Sequence, residues 1–353
     1  MLSIPKNLRS TYSGKRILVT GHSGFKGKWL VLLLRQLGAD VLGISNENES
    51  VNDASGFVFD DNVTEVIADL ISAENYIKAL EEFDPQYVFY FAAQSLVRTA
   101  YNDPTLTMSS NVMGLTVFLN SVRSLKSLKT ILIATTDKVY DPTHKTGNFR
   151  ERDILGGTEP YSCSKVMQEQ LAKCFFHSYF YDTGVNMVTV RAGNVIGGAD
   201  FSDDRLLVDI YKAVKSGVPM GVRYPHNTRP WQYVIDLLIG YICLVHKLSK
   251  RDNLFDNFNF APDVSHSVDQ ILEFAKDFWG GRFDFNVLDA ETSIKEQKDL
   301  SINSDKVTDY LGWDASVDLK SVLAKTFSWY QAFDAGENMK LFNETIIEKQ
   351  LNE

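Results

Sequence analysis

Short apolar segments alternate with amphipathic ones along the first half of the chain. The segments with the length and apolar character of strands are residues 16–20, 41–45, 66–68, 87–91, 130–134 and 186–191. The segments with helical spacing of apolar residues are 27–37, 73–83, 107–125 and 160–181. Such alternation is typical of a parallel sheet with helices on both faces. We therefore expect an α/β fold of the Rossmann type, with a doubly wound parallel sheet.

The alternation becomes less regular after about residue 195, where prolines interrupt the apolar segments. At about 150 residues per domain, a chain of 353 residues has room for two domains. We expect a Rossmann domain over residues 1–195, and over residues 196–353 a smaller lobe that is partly interleaved with it. Residues 338–353 are polar, which predicts a surface helix or a frayed tail.

Charge and cysteine content exclude several classes of protein. The chain has 36 Lys and Arg against 45 Asp and Glu, and this net charge of −9 argues against a general nucleic-acid binder. Its three cysteines and six histidines show no metal-ligand spacing, so we expect no metal site. The N-terminal residues lack the apolar centre of a signal peptide, and no apolar run approaches the roughly 18 residues of a membrane span. We expect a cytoplasmic protein without a membrane segment.

A glycine-rich loop directly follows the first predicted strand and opens the first long helix. It contains Gly21, Gly24 and Gly27, with His22, Phe25 and Lys26 between them. Glycines at this spacing allow a tight turn and a close approach of a pyrophosphate, and the helix N-terminus supplies amide donors. We expect this loop to bind a dinucleotide; the alternative is a plain turn.

The choice between NAD and NADP depends on the end of the second strand. The acidic residue that commonly contacts the ribose is absent there, and no Arg is present to accept a 2′-phosphate, which favours NAD. Asp69 and Leu70, after the third strand, are candidate adenine contacts. The alternative for Asp69 is a charge at a helix N-terminus.

Two further motifs carry side chains suited to proton transfer. Tyr161 and Lys165 are four residues apart on a predicted helix and share a face, so the lysine can lower the pKa of the phenol. The phenolate can then take a proton from a hydroxyl while hydride leaves for a nicotinamide. Thr136, Asp137 and Lys138 follow the fifth strand, where ligands bind in such sheets, and could supply an acid and a base. The alternatives are a chance Tyr–Lys spacing and a surface ion pair.

With these motifs, three further segments point to a family: FAAQSLVR at 91–98, RAGNVIGG at 191–198 and PHNTRPWQ at 225–232. The chain resembles the extended short-chain dehydrogenase/reductase superfamily and, within it, the CDP-glucose 4,6-dehydratase family. Related dehydratases of dTDP-glucose have Thr-Asp-Glu where this chain has Thr136-Asp137-Lys138. The resemblance implies NAD as cofactor, contacted also by Ala92, Ala93 and Gln94. It also implies a nucleotide-sugar site in the second lobe and a homodimer formed through helices 107–125 and 160–181.

The resemblance also implies roles for single residues. Tyr161 would take the proton of the sugar 4-hydroxyl, Lys138 would remove the C5 proton, and Asp137 would protonate the departing 6-hydroxyl. Thr136 would hydrogen-bond the 4-oxygen, and Lys165 would hold the nicotinamide ribose. The substrate diphosphate would be held by Asn194, Arg205 and Arg229. Three alternatives stay open: a 4-epimerase, a dehydratase of another nucleotide sugar, and a non-catalytic protein that senses a dinucleotide.

Overall fold

A seven-stranded parallel sheet forms the centre of the protein in a computed structural model, which describes residues 7–46, 55–57, 59–145, 147–289, 299–315 and 318–352. Its strands are β1 (Arg16–Thr20), β2 (Asp40–Ser45), β3 (Val63–Ile67), β4 (Tyr87–Tyr90), β5 (Thr130–Ala134), β6 (Asn186–Ala192) and β11 (Phe255–Phe260). The strand order is β11-β6-β5-β4-β1-β2-β3, and each neighbouring pair is parallel. The predicted Rossmann-type fold is confirmed. The order reverses between β1 and β4, which is where ligands bind in such sheets.

Helices cover both faces of the sheet. Their bounds are α1 (Leu8–Tyr12), α2 (Phe25–Gln36), α3 (Ile77–Phe83), α4 (Val97–Asn102), α5 (Pro104–Met108), α6 (Gly114–Ser121), α7 (Pro160–Phe175), α8 (Leu206–Ser216), α9 (Val234–Leu248), α10 (Val268–Trp279), α11 (Asp305–Leu311), α12 (Leu319–Asp334) and α13 (Met339–Asn352). Alternate residues of β1 enter different cores: Ile17 and Val19 pack with α2 and α9, while Leu18 packs with α3 and α6. Because the sheet is covered twice, its inner strands are apolar on both faces.

The helix predicted over residues 107–125 begins earlier and is not uniform. It starts at Pro104, where the Asp103 side chain accepts a hydrogen bond from the Leu106 amide at 2.8 Å. A π-helical turn over Ser109–Met113 then joins α5 to α6. The helix predicted over 160–181 likewise ends in a π-helical turn, Phe176–Phe180. Apolar spacing located both helices but carries no signal for these turns.

The second half of the chain contributes both to the main sheet and to a separate lobe. Strand β11 pairs with β6 and completes the main sheet. The remaining strands form two-stranded ladders: β7 (Val195–Ile196) with β10 (Gln232–Tyr233), β8 (Met220–Val222) with β13 (Phe285–Val287), and β9 (Thr228–Arg229) with β12 (His266–Ser267). The return of β11 to the sheet interleaves the two parts of the chain, and a division at residue 195 stays a prediction.

The C-terminal segment is a surface helix with one buried face, which confirms the first of the two predictions made from its polarity and excludes the frayed tail over residues 339–352. Helix α13 buries Met339, Asn343 and Ile347, which are four residues apart and share one face. The Asn343 amide accepts from the Trp329 indole at 2.7 Å and donates to the Ser55 carbonyl at 2.8 Å. Because Asn343 lies between Met339 and Ile347 on the buried face, the sequence does not show a continuous apolar face for this helix.

Candidate active site

A cavity of about 890 Å³ opens at the carboxyl ends of the sheet strands and extends between the sheet and the lobe. This volume is within the usual range of ligand sites. Its wall includes every predicted site residue except His22. The structure therefore brings together side chains that are up to about two hundred positions apart in the sequence.

The glycine-rich loop leaves room for a ligand beside the backbone. Gly21 has a φ of +68°, and a Cβ there would lie 2.9 Å from the Ala92 amide nitrogen. A Cβ at Gly27 would collide with the Gly21 carbonyl oxygen. Helix α2 begins directly after Gly24, so its first-turn amides and its dipole face the cavity that Gly21 and Gly24 line. This cradle of backbone, which has no room for a side chain at Gly21 or Gly27, fits the pyrophosphate of a dinucleotide.

His22 lies behind this loop rather than on the cavity wall. Its ring is fully buried, and its Nε2 is 2.9 Å from Glu65 Oε1 on β3. The ring occupies the space that a side chain at Gly43 would need. Sequence reasoning grouped His22 with the cofactor contacts because of its place in the motif, but its visible role is to hold the loop against β2 and β3.

The remaining predicted cofactor contacts line the cavity on either side of the loop. Asp69 and Leu70 follow β3, and the Asp69 carboxylate accepts from the Ile71 amide at 3.1 Å. Ala92, Ala93 and Gln94 follow β4. The Gln94 side chain is fixed by a 2.8 Å hydrogen bond to the Thr107 hydroxyl. The residues after β3 therefore add an acidic side chain to the cavity, and the residues after β4 add uncharged ones.

Asp137 and Lys138 lie in a 3₁₀ turn, Asp137–Val139, which begins three residues after the end of β5 at Ala134. Thr136 caps this turn and donates a hydrogen bond to Asp137 Oδ1 at 3.1 Å. Asp137 is almost fully buried, and its Oδ2 has no hydrogen-bond partner among the described residues. Burial raises the pKa of Asp137, and the charges of Lys138 and Arg229 and the Thr136 hydrogen bond oppose only part of that rise. A carboxyl group in this setting retains a proton more readily than an exposed one.

Tyr161 is fixed by the first turn of α7. The Glu159 carboxylate caps the helix and accepts from the Tyr161 amide at 2.7 Å. Burial raises the pKa of Tyr161 to about 12, although the charge of Arg205 and a hydrogen bond with Thr136 lower it. The phenol therefore lies beside the 3₁₀ turn, with Arg205 as the cation that most opposes the effect of burial.

Lys165 differs from the sequence-based expectation. Its ammonium donates to the Ala134 carbonyl at 3.2 Å and to the Gln168 side chain at 2.8 Å. Burial and the charge of Lys26 lower the pKa of Lys165 to about 7, although Glu169 opposes this. Burial also lowers the pKa of Lys26, to about 8. Two amines that burial makes easier to deprotonate thus line one cavity, and the charge of Lys165 is not the main influence on the phenol.

A buried ion pair between Glu169 and Arg191, which no sequence motif marks, supports the 3₁₀ turn at Asp137–Val139. Glu169 accepts from Nε and Nη2 of Arg191, both at 2.9 Å, and from the Thr135 and Thr189 hydroxyls, both at 2.6 Å. Arg191 also donates to the Tyr140 hydroxyl at 2.8 Å. Burial by itself raises the pKa of Glu169, but Arg191 and the two hydroxyls outweigh it and hold that pKa below its usual value. The network ties both ends of the Thr136–Val139 segment to β6.

The predicted substrate contacts lie on the lobe side of the cavity. Asn194 follows β6, Arg229 lies on β9, and Arg205 is the N-cap residue of α8. Sequence reasoning did not select Asp209, Arg223 and Tyr224, which line the same side. No motif marks them, and only the packing of α8 against β8 places them there.

The strand order, the glycine loop and the neighbouring Tyr161 and Lys165 define a Rossmann-fold enzyme of the extended short-chain dehydrogenase/reductase type. The chain belongs to the GDP-mannose 4,6 dehydratase family, whose sequence profile matches residues 18–326. It is 35% identical over 348 residues to the CDP-glucose 4,6-dehydratase of Salmonella typhimurium, covering 96% of this chain and 97% of that protein. The resemblance predicted from the motifs is confirmed.

More distant relatives and solved structures match about nine tenths of the chain. The dTDP-glucose 4,6-dehydratase of Xanthomonas campestris is 25% identical over 336 residues, covering 89% of this chain and 92% of that protein. Among solved structures, an epimerase from Methanothermobacter thermautotrophicus superposes with a TM-score of 0.82 at 20% identity, covering 94% of this chain and 97% of that one. The UDP-glucuronic acid 4-epimerase of Bacillus cereus, in complex with UDP-glucuronic acid and NAD, gives 0.78 at 21% identity, covering 90% and 99%. At these identities the structures show the fold alone.

None of the helices in the described part of the chain has the length and apolar character that crossing a bilayer requires. Within the same residues, no group of three or more His, Cys, Asp or Glu side chains is placed to hold a metal ion.

Proposed function

We propose that the protein dehydrates CDP-glucose to CDP-4-keto-6-deoxyglucose by an internal redox reaction. The observation that carries this proposal is one cavity that holds both a phenol for alcohol oxidation, Tyr161, and an acid–base pair for water loss, Asp137 and Lys138. The choice of CDP-glucose is supported by the 35% identity, over nearly the whole length, to a CDP-glucose 4,6-dehydratase.

The cradle formed by Gly21, Gly24 and Gly27 would hold NAD by its pyrophosphate, and Asp69 and Leu70, which line the same cavity, would contact its adenosine. NAD, when bound, accepts a hydride from C4 of the sugar and returns it to C6. Lys165 lies one turn beyond Tyr161 on α7 and is close enough to Lys26 for the two charges to interact, so Lys165, with Gln94 on the same cavity wall, would orient the nicotinamide end of the cofactor.

Tyr161 takes the proton of the 4-hydroxyl in the first step. Because burial raises the pKa of Tyr161 to about 12, the phenol needs positive charge nearby to act as a base, and Arg205 supplies the largest lowering effect. The Thr136 hydroxyl also hydrogen-bonds the phenol, and its single O–H, which donates to Asp137 Oδ1 in this structure, would turn to donate to the 4-oxygen when substrate is bound. The product of this step is a 4-ketone, which makes the hydrogen at C5 acidic.

Lys138 acts as the base and Asp137 as the acid in the elimination that follows. Lys138 removes the C5 proton, and Asp137 delivers a proton to the 6-hydroxyl, so that water leaves and a double bond forms between C5 and C6. When hydride is added at C6, Lys138 returns the proton to C5. The raised pKa of Asp137 suits a group that must hold a proton until the leaving oxygen needs it. Its unpartnered Oδ2 is the atom available for this transfer.

The lobe side of the cavity binds the rest of the substrate. Arg205 and Arg229 hold the diphosphate, because guanidinium groups match the geometry of phosphate oxygens, and Asn194 assists them. Arg205 is close enough to act on the pKa of Tyr161, so its contact with the diphosphate places the sugar beside the phenol.

We also propose that two copies associate through α5, α6 and α7. The large apolar side chains exposed on this surface and on the turns that continue it are Leu106, Met113, Met167 and Tyr179. The Arg123 guanidinium covers the Tyr179 ring at 3.8 Å. Light scattering on the purified protein should give twice the monomer mass, and Met113→Glu with Met167→Glu should reduce it; a wild-type monomer would contradict the proposal.

The expected cytoplasmic location stays a prediction.

Incubation of the purified protein with the CDP, UDP, dTDP and GDP esters of glucose tests the reaction. With a catalytic amount of NAD, CDP-glucose should lose one water, shown by mass spectrometry, without net formation of NADH. Tyr161→Phe is the matched control, since it keeps the ring but cannot take the proton. Stoichiometric NADH would indicate a simple dehydrogenase, and a 4-epimer of unchanged mass would indicate an epimerase; either result contradicts the proposal.

A further inference from the structure

Helix α8 places a carboxylate one turn beyond a proposed diphosphate contact. Arg205 is the N-cap residue of α8, and the Asp209 amide donates to the Arg205 carbonyl at 2.8 Å. Residues four apart on a helix share a face and are separated by about 6 Å along the axis. Both residues line the active-site cavity. Asp209 is therefore displaced from Arg205 along the helix, by roughly the length of a ribose.

The direction of this displacement follows from the neighbours of each residue. Arg205 acts on the pKa of Tyr161 and of Lys26, so it lies toward the reacting end of the cavity. Asp209 is half-buried, and the charges that act on it are, in order of effect, Lys212, Asp204 and Asp203, followed by Arg223, which directly follows β8. Strand β8 packs against α8 and lines the cavity as well. Asp209 thus faces the end of the cavity that lies beyond the diphosphate.

Asp209 differs from the other carboxylates on the wall in its hydrogen bonding. Its side chain makes no hydrogen bond or ion pair of less than 4 Å with any described residue. The others each have a partner: Asp69 the Ile71 amide, Asp137 the Thr136 hydroxyl, Glu159 the Tyr161 amide, Asp200 the Ser202 amide and Asp204 the Arg98 guanidinium. Burial raises the pKa of Asp209, and Lys212 and Arg223 oppose this. A half-buried acceptor that the protein leaves unused is available to a ligand.

We propose that Asp209 selects the nucleobase by accepting a hydrogen bond from the exocyclic amino group of cytosine. This inference rests on the proposed function, which places a nucleoside diphosphate sugar in the cavity. Cytosine presents an amino donor at its 4-position, whereas uracil and thymine present a carbonyl acceptor there. An ionised carboxylate only accepts hydrogen bonds, so it favours the first and repels the second. One side chain on α8 thereby distinguishes CDP-glucose from UDP-glucose and dTDP-glucose.

The size of the effect follows from similar contacts elsewhere. A good hydrogen-bonding match to a base edge discriminates against the wrong base by about 10- to 100-fold. Asp209→Ala should therefore weaken CDP binding by about 10- to 100-fold and leave UDP binding unchanged or tighter. Asp209→Asn, which keeps the size and can both donate and accept, should bind the two nucleotides nearly equally.

Calorimetric titration with CDP and with UDP tests the inference, alongside kcat/KM for CDP-glucose and UDP-glucose. Asp277→Ala is the matched control, because Asp277 is exposed on α10 and does not line the cavity, yet its loss changes the net charge equally. The control should keep the CDP:UDP ratio of the wild type. A thermal melt of each variant checks that the fold is intact.

The outcomes separate the two proposals. If the wild type prefers CDP and only the Asp209 variants lose that preference, the inference is supported, even if no nucleotide sugar is turned over and the proposed function fails. If CDP-glucose is dehydrated but Asp209→Ala and Asp209→Asn keep the wild-type CDP:UDP ratio, the inference is wrong while the function stands. A wild type that binds CDP and UDP equally also overturns it.

Discussion

Replacing Asp137 with Asn should block the loss of water while leaving oxidation at C4 in place. The amide has nearly the same shape and can still accept the Thr136 hydroxyl, which is now 3.1 Å from Oδ1. It has no acidic proton, however, to give to the departing 6-hydroxyl. Asp137 is buried and its Oδ2 has no hydrogen-bond partner among the described residues, so no described acid is hydrogen-bonded to the atom that would deliver the proton.

The expected loss is the usual contribution of a general acid, about 10²- to 10⁴-fold in kcat. This corresponds to about 3–5 kcal/mol of barrier height. In deuterated water, Asp137→Asn should still exchange the C5 hydrogen, because Lys138 is intact, and mass spectrometry would show deuterated, undehydrated sugar. Product formation within tenfold of the wild-type rate would refute the assignment, since another group would then be the acid.

Three further predictions concern neighbouring residues. Lys138→Ala should oxidise C4 but lose C5 exchange in deuterated water; exchange at the wild-type rate would exclude it as the base. Tyr161→Phe should lower turnover by about 10²- to 10⁴-fold and leave NAD affinity, measured by calorimetry, nearly unchanged; an equal loss of affinity would point to a binding role. Glu169→Gln should lower the free energy of unfolding, measured by urea denaturation, by about 3–5 kcal/mol, because it leaves the Arg191 charge buried and unpaired. Since the pKa of Glu169 is lowered in the folded state, this stabilisation is present above the ordinary carboxylate pKa and is lost as the pH falls through the folded value. This prediction is contradicted if the free energies of unfolding of the wild type and Glu169→Gln differ by less than about 1 kcal/mol at neutral pH, or if their difference does not become smaller in acid.

Most of the main sheet could be predicted because strands covered on both faces are continuous apolar runs. Strands β4 and β5 are fully buried and lie where the sequence places them. The sequence pattern locates the edge strand β3 less well, because it predicts a strand over 66–68 whereas β3 spans Val63–Ile67. Thr64 and Glu65 are polar because this end of the sheet is partly exposed, so the apolar signal covers only half of the strand.

The site could be predicted as far as local motifs extend. Gly21–Gly27, Thr136–Lys138 and the Tyr161–Lys165 spacing each mark a short segment, and parallel topology brings the strand ends together. The Glu169–Arg191 pair and Asp209 have no such mark. Their roles depend on which helix face packs against which strand, and that is decided by tertiary contacts that no local pattern records.

The docking of α13 has a consequence for the order in which the protein can fold during synthesis. This helix packs on α2 and α9, and the hydrogen bond from Asn343 to Ser55 joins residues 288 positions apart. Trp29 and Phe57, near the start of the chain, share their core with Met339 and Ile347. A nascent chain that has produced the whole dinucleotide-binding loop therefore still exposes part of the apolar surface of α2. That surface is closed only when α13 has left the ribosome, so chains that stop before α13 should be prone to aggregation.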